Sequence, residues 1–380
     1  MSAPTILLSA GEASSDMYAA RLARDLRERT GAHIFGMGGP RMAEAGVEMI
    51  ADYHEVAVVG IAEVLHKIPS VISVQNRLAR EAVRRKADLA ILVDSPGTHL
   101  GVARRLKPRK IPVGYFIGPQ IWAWRAGRVR IVRRRVKKMV VIFPFEEKIY
   151  RDAGVPVEFV GHPLVDVVKA SLSREEFAAK HGLDPTRPIV TLLPGSRKNE
   201  IARNYSAIAQ ACAGLLRSRG KGAESQFVLV AAHGLRPERF APHEPRGLSV
   251  HRIEGCAYDA LAAADCAIVA SGTATIEAAL LGTPMVVVYR VSPLSAFLVR
   301  PLIRTPFFAM PNVIAGKQVV PELIQSDFTA EAVRNAAQPL IESSDAQSEM
   351  RARLAEVRSR LGPGGAIERA ADVFSAMLQG

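Results

Sequence analysis

Two stretches of this chain, about half its length apart, begin alike. Thr5-Ile6-Leu7-Leu8-Ser9-Ala10-Gly11-Glu12-Ala13-Ser14 passes from an apolar run through a small-residue turn into a helix-compatible segment. Val190-Thr191-Leu192-Leu193-Pro194-Gly195-Ser196-Arg197 repeats that order. Each reads as the first strand of a parallel sheet feeding a glycine loop and a helix. A chain that restarts a doubly wound domain at its midpoint predicts an α/β protein of two Rossmann-like domains facing each other across a cleft. Ligands of such sheets bind beyond the carboxyl ends of the strands, so nucleotide or nucleotide-sugar chemistry is the first expectation. At 380 residues the chain has room for both domains.

The rest of the pattern follows the same rhythm. Strands are predicted at 5–9, 32–38, 87–94, 111–117, 138–143 and 157–160, with a helix over 15–30 and a short one at 41–45 closed by Gly46. Gly161-His162-Pro163 reads as a hinge, which makes 1–163 the first domain. The second, 164–345, carries predicted strands at 189–193, 226–231, 267–270 and 285–288. The tail is helical, broken at Gly362-Pro363-Gly364-Gly365, and 346–380 is expected to return to the first domain.

Bulk properties narrow the function classes. Apolar residues make up 48% of the chain, ample for packed cores. No apolar run reaches the length of a membrane span, and the N-terminus lacks a signal-peptide pattern, which predicts a cytoplasmic protein. Cys212, Cys256 and Cys266 form no metal spacing and read as free thiols. The net charge of +13 favours anionic partners, although an arginine-rich proteome gives the same excess.

That excess is uneven. Residues 125–138 hold Arg125, Arg128, Arg130, Arg133, Arg134, Arg135, Lys137 and Lys138 around a stripe of Val129, Val132 and Val136, just after Trp122 and Trp124. A basic amphipathic helix beside tryptophans suits an anionic lipid surface, with a solvated charged helix as the plainer reading. No RNA- or DNA-binding pattern accompanies it, so no nucleic-acid partner is expected. Residues 56–74 are rich in apolar positions, Val58, Val59, Ile61, Val64, Leu65, Ile68, Val71 and Ile72 among them, and Pro69 predicts two short helices there, either core or an exposed patch for membrane or acyl chains.

Four places can carry chemistry. Gly11-Glu12-Ala13-Ser14-Ser15-Asp16 opens a helix whose free N–H groups bind anions or hydroxyls, though acids there also serve as caps. Asp94 ends a buried strand, where a carboxylate can take a proton from an attacking hydroxyl or simply cap the next turn. Gly195-Ser196-Arg197 lacks the lysine of a P-loop, but Arg197 suits a pyrophosphate. Ser271-Gly272-Thr273 precedes a helix that brings Glu277 about one turn in, placed to accept from both ribose hydroxyls. With no Asp-x-Asp pair in the chain, a metal-free mechanism without a cofactor is expected, Arg197 and helix N-termini neutralising the leaving group.

Taken in order, these motifs, with Met37-Gly38-Gly39-Pro40-Arg41-Met42, Gln120-Ile121-Trp122-Ala123-Trp124, Phe159-Val160-Gly161-His162-Pro163-Leu164 and Met310-Pro311-Asn312, resemble the lipid-A-disaccharide synthases over nearly the whole chain. The resemblance implies a GT-B fold. It also implies an inverting transfer from UDP-2,3-diacylglucosamine to the 6-hydroxyl of 2,3-diacylglucosamine 1-phosphate (lipid X), giving a β-1,6 disaccharide and UDP. Under it, Asp94 looks like the base or an acceptor-orienting residue, and Asn312 falls in an active-site loop. Gly11, Glu12, Ser14 and Asp16 look like the acceptor side of an acceptor- and membrane-facing first domain. Gly195, Ser196, Arg197, Ser271, Gly272, Thr273 and Glu277 look like the UDP site. Trp122, Trp124, Arg133, Arg134 and Arg135 would dock on the cytoplasmic face of the inner membrane, with a second copy of the chain left open as a partner. Ser15 stands where the family has Gly, so a reshaped loop is expected there. Other UDP-sugar enzymes of this fold, such as a peptidoglycan glycosyltransferase or a UDP-N-acetylglucosamine 2-epimerase, and a membrane-docked nucleotide-binding module remain the alternatives.

Overall fold

The computed structural model describes residues 3–56, 61–122, 127–231, 240–292 and 305–379, with backbone alone for 61–66. The chain divides into two units, Met1–Pro163 with Leu361–Gly380, and Leu164–Pro301 with Thr305–Arg360. Each is built on a wholly parallel sheet.

In the first unit the strands are β1 (Thr5–Ala10), β2 (His33–Gly38), β3 (Glu48–Asp52), β4 (Leu89–Val93), β5 (Val113–Phe116), β6 (Lys138–Val141) and β7 (Val157–Phe159). They lie in the order β3-β2-β1-β4-β5-β6-β7. Strands β1 and β4 are buried along nearly their whole length, as expected for a sheet covered by helices on both faces. The order reverses between β1 and β4, which stay paired to their last residues, Ala10 and Val93, and in the crevice beyond that switch point such sheets bind ligands. That crevice receives the residues after Ala10 and Val93, which are Gly11 and Asp94.

Helices fill the crossovers: α1 (Ala13–Thr30), α2 (Pro40–Glu44), α3 (Ile61–Arg84), α4 (Pro96–Leu106), α5 (Arg128–Arg135) and α6 (Pro144–Asp152). Helix α3 runs unbroken through Pro69, where the sequence predicts two helices. Ile68, Pro69 and Ser70 all face solvent, so water can reach the carbonyl that the missing proline N–H leaves unpaired. Among the described residues the basic segment is helical over Arg128–Arg135, with Val132 buried beneath it. The apolar residues Val58 and Val59, together with Trp124 and Arg125, lie outside the described residues.

The second unit repeats the plan with α7 (Leu164–Val167), α8 (Arg174–His181), β8 (Ile189–Leu193), α9 (Lys198–Leu216), β9 (Gln226–Ala231), β10 (Val250–Glu254), α10 (Ala257–Ala262), β11 (Cys266–Ala270), α11 (Thr273–Leu280), β12 (Met285–Tyr289) and β13 (Glu322–Ile324). The strand order is β10-β9-β8-β11-β12-β13, with its reversal between β8 and β11. The loops after those two strands are Gly195–Arg197 and Ser271–Thr273, so both halves of the chain place a glycine loop at a switch point.

The terminal helices separate. Ser344–Arg360 belongs to the second unit, where Arg358 donates to Leu280 O at 2.8 Å. Ala366–Gln379 packs on α1 in the first unit, seating Phe374 against Phe116 and pairing Asp372 with Arg29. A Cβ on Gly114 would come within 2.5 Å of the Phe374 ring, so glycine in β5 makes room for that docking. Among the described residues no helix is long and apolar enough to cross a membrane.

Candidate active site

At the first switch point the chain is tightly packed and locally strained. Asp94 and Ser95 both adopt left-handed conformations, with φ of 54° and 45°. Side chains with a Cβ enter that region at a cost, and such residues persist where the surroundings hold them. The holding groups are visible. The Asp94 carbonyl accepts from the Tyr115 hydroxyl at 2.6 Å and bonds His99 Nδ1 at 2.7 Å, while its N–H donates to Phe116 O at 2.9 Å. A carbonyl only accepts, so His99 carries its proton on Nδ1, and Nε2 accepts from the Ser9 hydroxyl at 2.9 Å. His99 is fully buried, and desolvation brings its pKa down to about 4, which keeps the ring neutral.

Burial acts in the opposite direction on the Asp94 carboxyl. Desolvation first, and then the charge of Glu12, push its pKa up to about 6. Gly11 makes the approach of the two loops possible, because a Cβ there would lie 2.2 Å from Ser95 Oγ. Glu12 is the extended residue that caps α1; its N–H donates to Ser15 Oγ at 3.0 Å, and Ser14 is exposed beside it. Ser15 sits inside the first helical turn and needs no positive φ.

Two residues assigned to the site from sequence have other work. Both Asp16 carboxylate oxygens are taken by backbone N–H groups, of Gly39 at 2.7 Å and of Arg41 and Met42 at 3.2 Å each, which anchors the start of α2. Asn312 is completely buried, donating to Val320 O at 2.9 Å and accepting from the N–H groups of Val319 and Val320. Three of the amide's four hydrogen-bonding positions thus tie the helix Met310–Ala315 to Val319 and Val320.

The second switch point opens into a cavity of about 510 Å3. Gly195, Ser196 and Arg197 line one side, and Ser271, Gly272 and Thr273 the other. Gly195 at φ 129° and Gly272 at φ 152° hold backbone that other residues rarely adopt, which leaves both loops with little side-chain bulk over the cavity. Thr273 begins α11, so that helix directs its first N–H groups to the cavity, and Thr275 Oγ donates back to Gly272 O at 2.7 Å to close the turn. Ser271 Oγ donates to Phe308 O at 2.9 Å. Glu277 stands on the wall within 3.4 Å of the Tyr258 hydroxyl, its pKa raised by burial. The Arg197 guanidinium is half exposed and held by Glu200 at 3.3 Å. Glu200 also accepts the N–H groups of Ser196 and Arg197, so the loop is braced from within. The buried Asn204 ties Pro194 O, just before the loop, to the N–H of Arg290.

The aromatic and basic residues expected at a membrane divide. Trp122 is partly buried against Phe143 and Phe145, and its Nε1–H donates to Glu146 at 3.2 Å. Glu146 is buried and desolvation pushes its pKa up to about 8. Arg135 turns inward to Leu100 O at 2.9 Å, whereas Arg133 and Arg134 are exposed. Among the described residues no group of three or more His, Cys, Asp or Glu is arranged to hold a metal ion.

A match to the family described as Lipid-A-disaccharide synthetase spans residues 6–370, the glycine loops and Asp94 included. The chain belongs to the lipid-A-disaccharide synthase family. A lipid-A-disaccharide synthase from Solibacter usitatus is 44% identical over 379 residues, covering 99% of this chain and 98% of that protein. One from Acidobacterium capsulatum is 45% identical, covering 100% and 97%. Among solved structures, the UDP-GlcNAc 2-epimerase from Neisseria meningitidis bound to UDP-GlcNAc matches with a TM-score of 0.67 at 14% identity, covering 98% of this chain and all of that one. The calicheamicin glycosyltransferase CalG4 matches with a TM-score of 0.59 at 17% identity, covering 100% and 99%. These likenesses carry the fold, GT-B, and the family carries the activity. As a lipid-A-disaccharide synthase family member the chain is a glycosyltransferase that forms the lipid A disaccharide. Within that family reading, His99 and Tyr115 are the residues that sequence inspection passes over; both act by fixing the backbone of Asp94.

Proposed function

We propose that the chain transfers diacylglucosamine from UDP-2,3-diacylglucosamine to lipid X with inversion, with UDP held in the cavity of the second unit and Asp94 as the base. In this reaction the acceptor 6-hydroxyl forms a bond to the anomeric carbon, the bond from that carbon to the diphosphate breaks, and the hydroxyl proton passes to the Asp94 carboxylate. A base whose conjugate acid titrates near 6 is mostly ionised at neutral pH yet still holds a proton well. The perturbed, backbone-locked carboxyl at a switch point is the observation that supports this role. Arg197 and the first N–H groups of α11 would meet the charge that develops on the departing diphosphate, and Glu277 would accept from the ribose hydroxyls.

Both substrates are amphiphiles, which favours work at the cytoplasmic face of the inner membrane. The exposed Arg133 and Arg134, with Ile68 and Ile72 exposed on α3, support a peripheral attachment there.

The deciding experiment mixes purified protein with UDP-2,3-diacylglucosamine and labelled lipid X in the presence of EDTA. Disaccharide 1-phosphate and UDP should appear together, and product should vanish in Asp94→Asn. UDP release without lipid X would instead indicate hydrolase or epimerase chemistry.

A further inference from the structure

The amino-terminal end of the first sheet, remote from Gly11 and Asp94, carries a second feature. The later turns of α3 and the end of α4, with the turn that follows, border a groove of about 750 Å3. Arg80, Arg84, Arg105 and Arg109 line it, alongside the apolar Val83 and Pro108. An adjoining hollow shares Val83 and Arg109, adds Lys86 and Lys110, and reaches the residues that lead into β4 and β5. The strands are parallel, so this face lies at their amino ends, opposite the switch-point crevice.

Negative charge is scarce along this face. Glu81 is shared between Arg84 and Arg85, and Asp88 accepts the Thr5 N–H at 2.8 Å. Arg105 is only partly exposed, and its guanidinium is held by neutral oxygens, those of Asn76 and Gln75 at 2.6 Å and of Gly101 at 3.0 Å. Burial and the neighbouring Arg104 hold its pKa below the usual guanidinium range. Among the described residues Arg80, Arg105 and Arg109 make no ion pair with a carboxylate. Drawing a guanidinium from water without a counter-charge is unfavourable, and an anion that reaches several such groups at once offsets it. The guanidinium fork matches phosphate oxygens in pairs. Val83, 39% exposed, supplies apolar contact beside the charges.

We propose that this groove is a binding site for a phosphate ester with an apolar body, separate from the cavity of the second unit. The chemistry fits an anionic lipid headgroup or a free organic phosphate. Calorimetric titration of the whole protein, with UDP present in excess, would use inorganic pyrophosphate, glycerol 1-phosphate and dihexanoyl phosphatidylglycerol below its micelle-forming concentration. Binding of at least one probe is expected, weakened tenfold or more in the double variant Arg80→Gln, Arg109→Gln. The variant Arg104→Gln, Lys107→Gln removes the same charge from neighbouring exposed positions off the groove and should leave binding within a factor of two. Both pairs are on the surface, so circular dichroism should report an unchanged fold. Tighter binding of the phosphatidylglycerol than of glycerol 1-phosphate would assign the site to a lipid headgroup, and equal binding to a free phosphate. Equal losses in both double variants, or no binding by any probe in the presence of UDP, would each overturn the proposal.

Discussion

Replacing Asp94 with asparagine should make the protein more stable while removing its activity, and the gain should depend on pH. The carboxyl is raised from its ordinary 3.8 to about 6, chiefly by desolvation. A shift of that size corresponds to about 3 kcal/mol favouring the protonated form in the folded chain. The folded state therefore binds a proton that the unfolded state has already lost between those two values. Stability falls as pH rises through that window and levels off above about 6, where the folded protein carries an ionised, largely buried carboxylate. Asparagine has the same shape, cannot ionise, and tolerates the left-handed backbone at φ 54° better than most residues. Urea unfolding of both proteins at intervals from pH 4 to pH 8, followed by fluorescence, gives the comparison. The variant should match the wild type near pH 4 and exceed it by up to about 3 kcal/mol at pH 8, while transfer drops by a factor on the order of a hundred to ten thousand, as loss of a general base does. A stability difference that stays flat across the range, or a variant weaker at pH 8, would show that burial does not govern this carboxyl and would remove the basis for its assigned role.

Three further outcomes follow from the same geometry. Glu12→Gln takes away the charge that ranks second in raising Asp94, so the acid limb of kcat/KM should move to lower pH; an unmoved limb would leave desolvation as the sole cause. Glu277→Ala should weaken UDP about tenfold, near the value of one charged hydrogen bond, and leave pyrophosphate affinity as it was; equal losses for both ligands would place Glu277 away from the ribose. Asn312→Ala strips the partner from three buried backbone groups and should cost about 3 kcal/mol in unfolding free energy, whereas a catalytic asparagine would instead lose rate in a protein of normal stability.

Much of the fold is legible because parallel strands buried on both faces leave continuous apolar runs, such as Leu89–Val93 and Cys266–Ala270. The strands that escape notice are β3, β10 and β13, and all three lie at sheet edges. Their sequences, EMIAD, VHRIE and ELI, mix charge with apolar residues because one side meets solvent, so no buried run marks them. The glycine loops declare themselves because a switch point needs turns without bulk. The clamp on Asp94 does not, since Tyr115 lies 21 residues further on and reaches it only through the pairing of β4 with β5. That Asp16 and Asn312 bond their own backbone is equally invisible, because a polar residue in a motif looks the same whatever it faces.

The helix Ala366–Gln379 closes the first unit only after the ribosome has made the whole of the second. At about 5–20 residues per second, that interval of about 200 residues lasts roughly 10–40 s. Through it, the sheet face around Gly114 and Phe116 that will receive Phe374 lacks its covering helix. The unit made first therefore waits for the last helix to complete its core, and a carboxyl-terminal fusion that hinders that helix should lower that unit's yield.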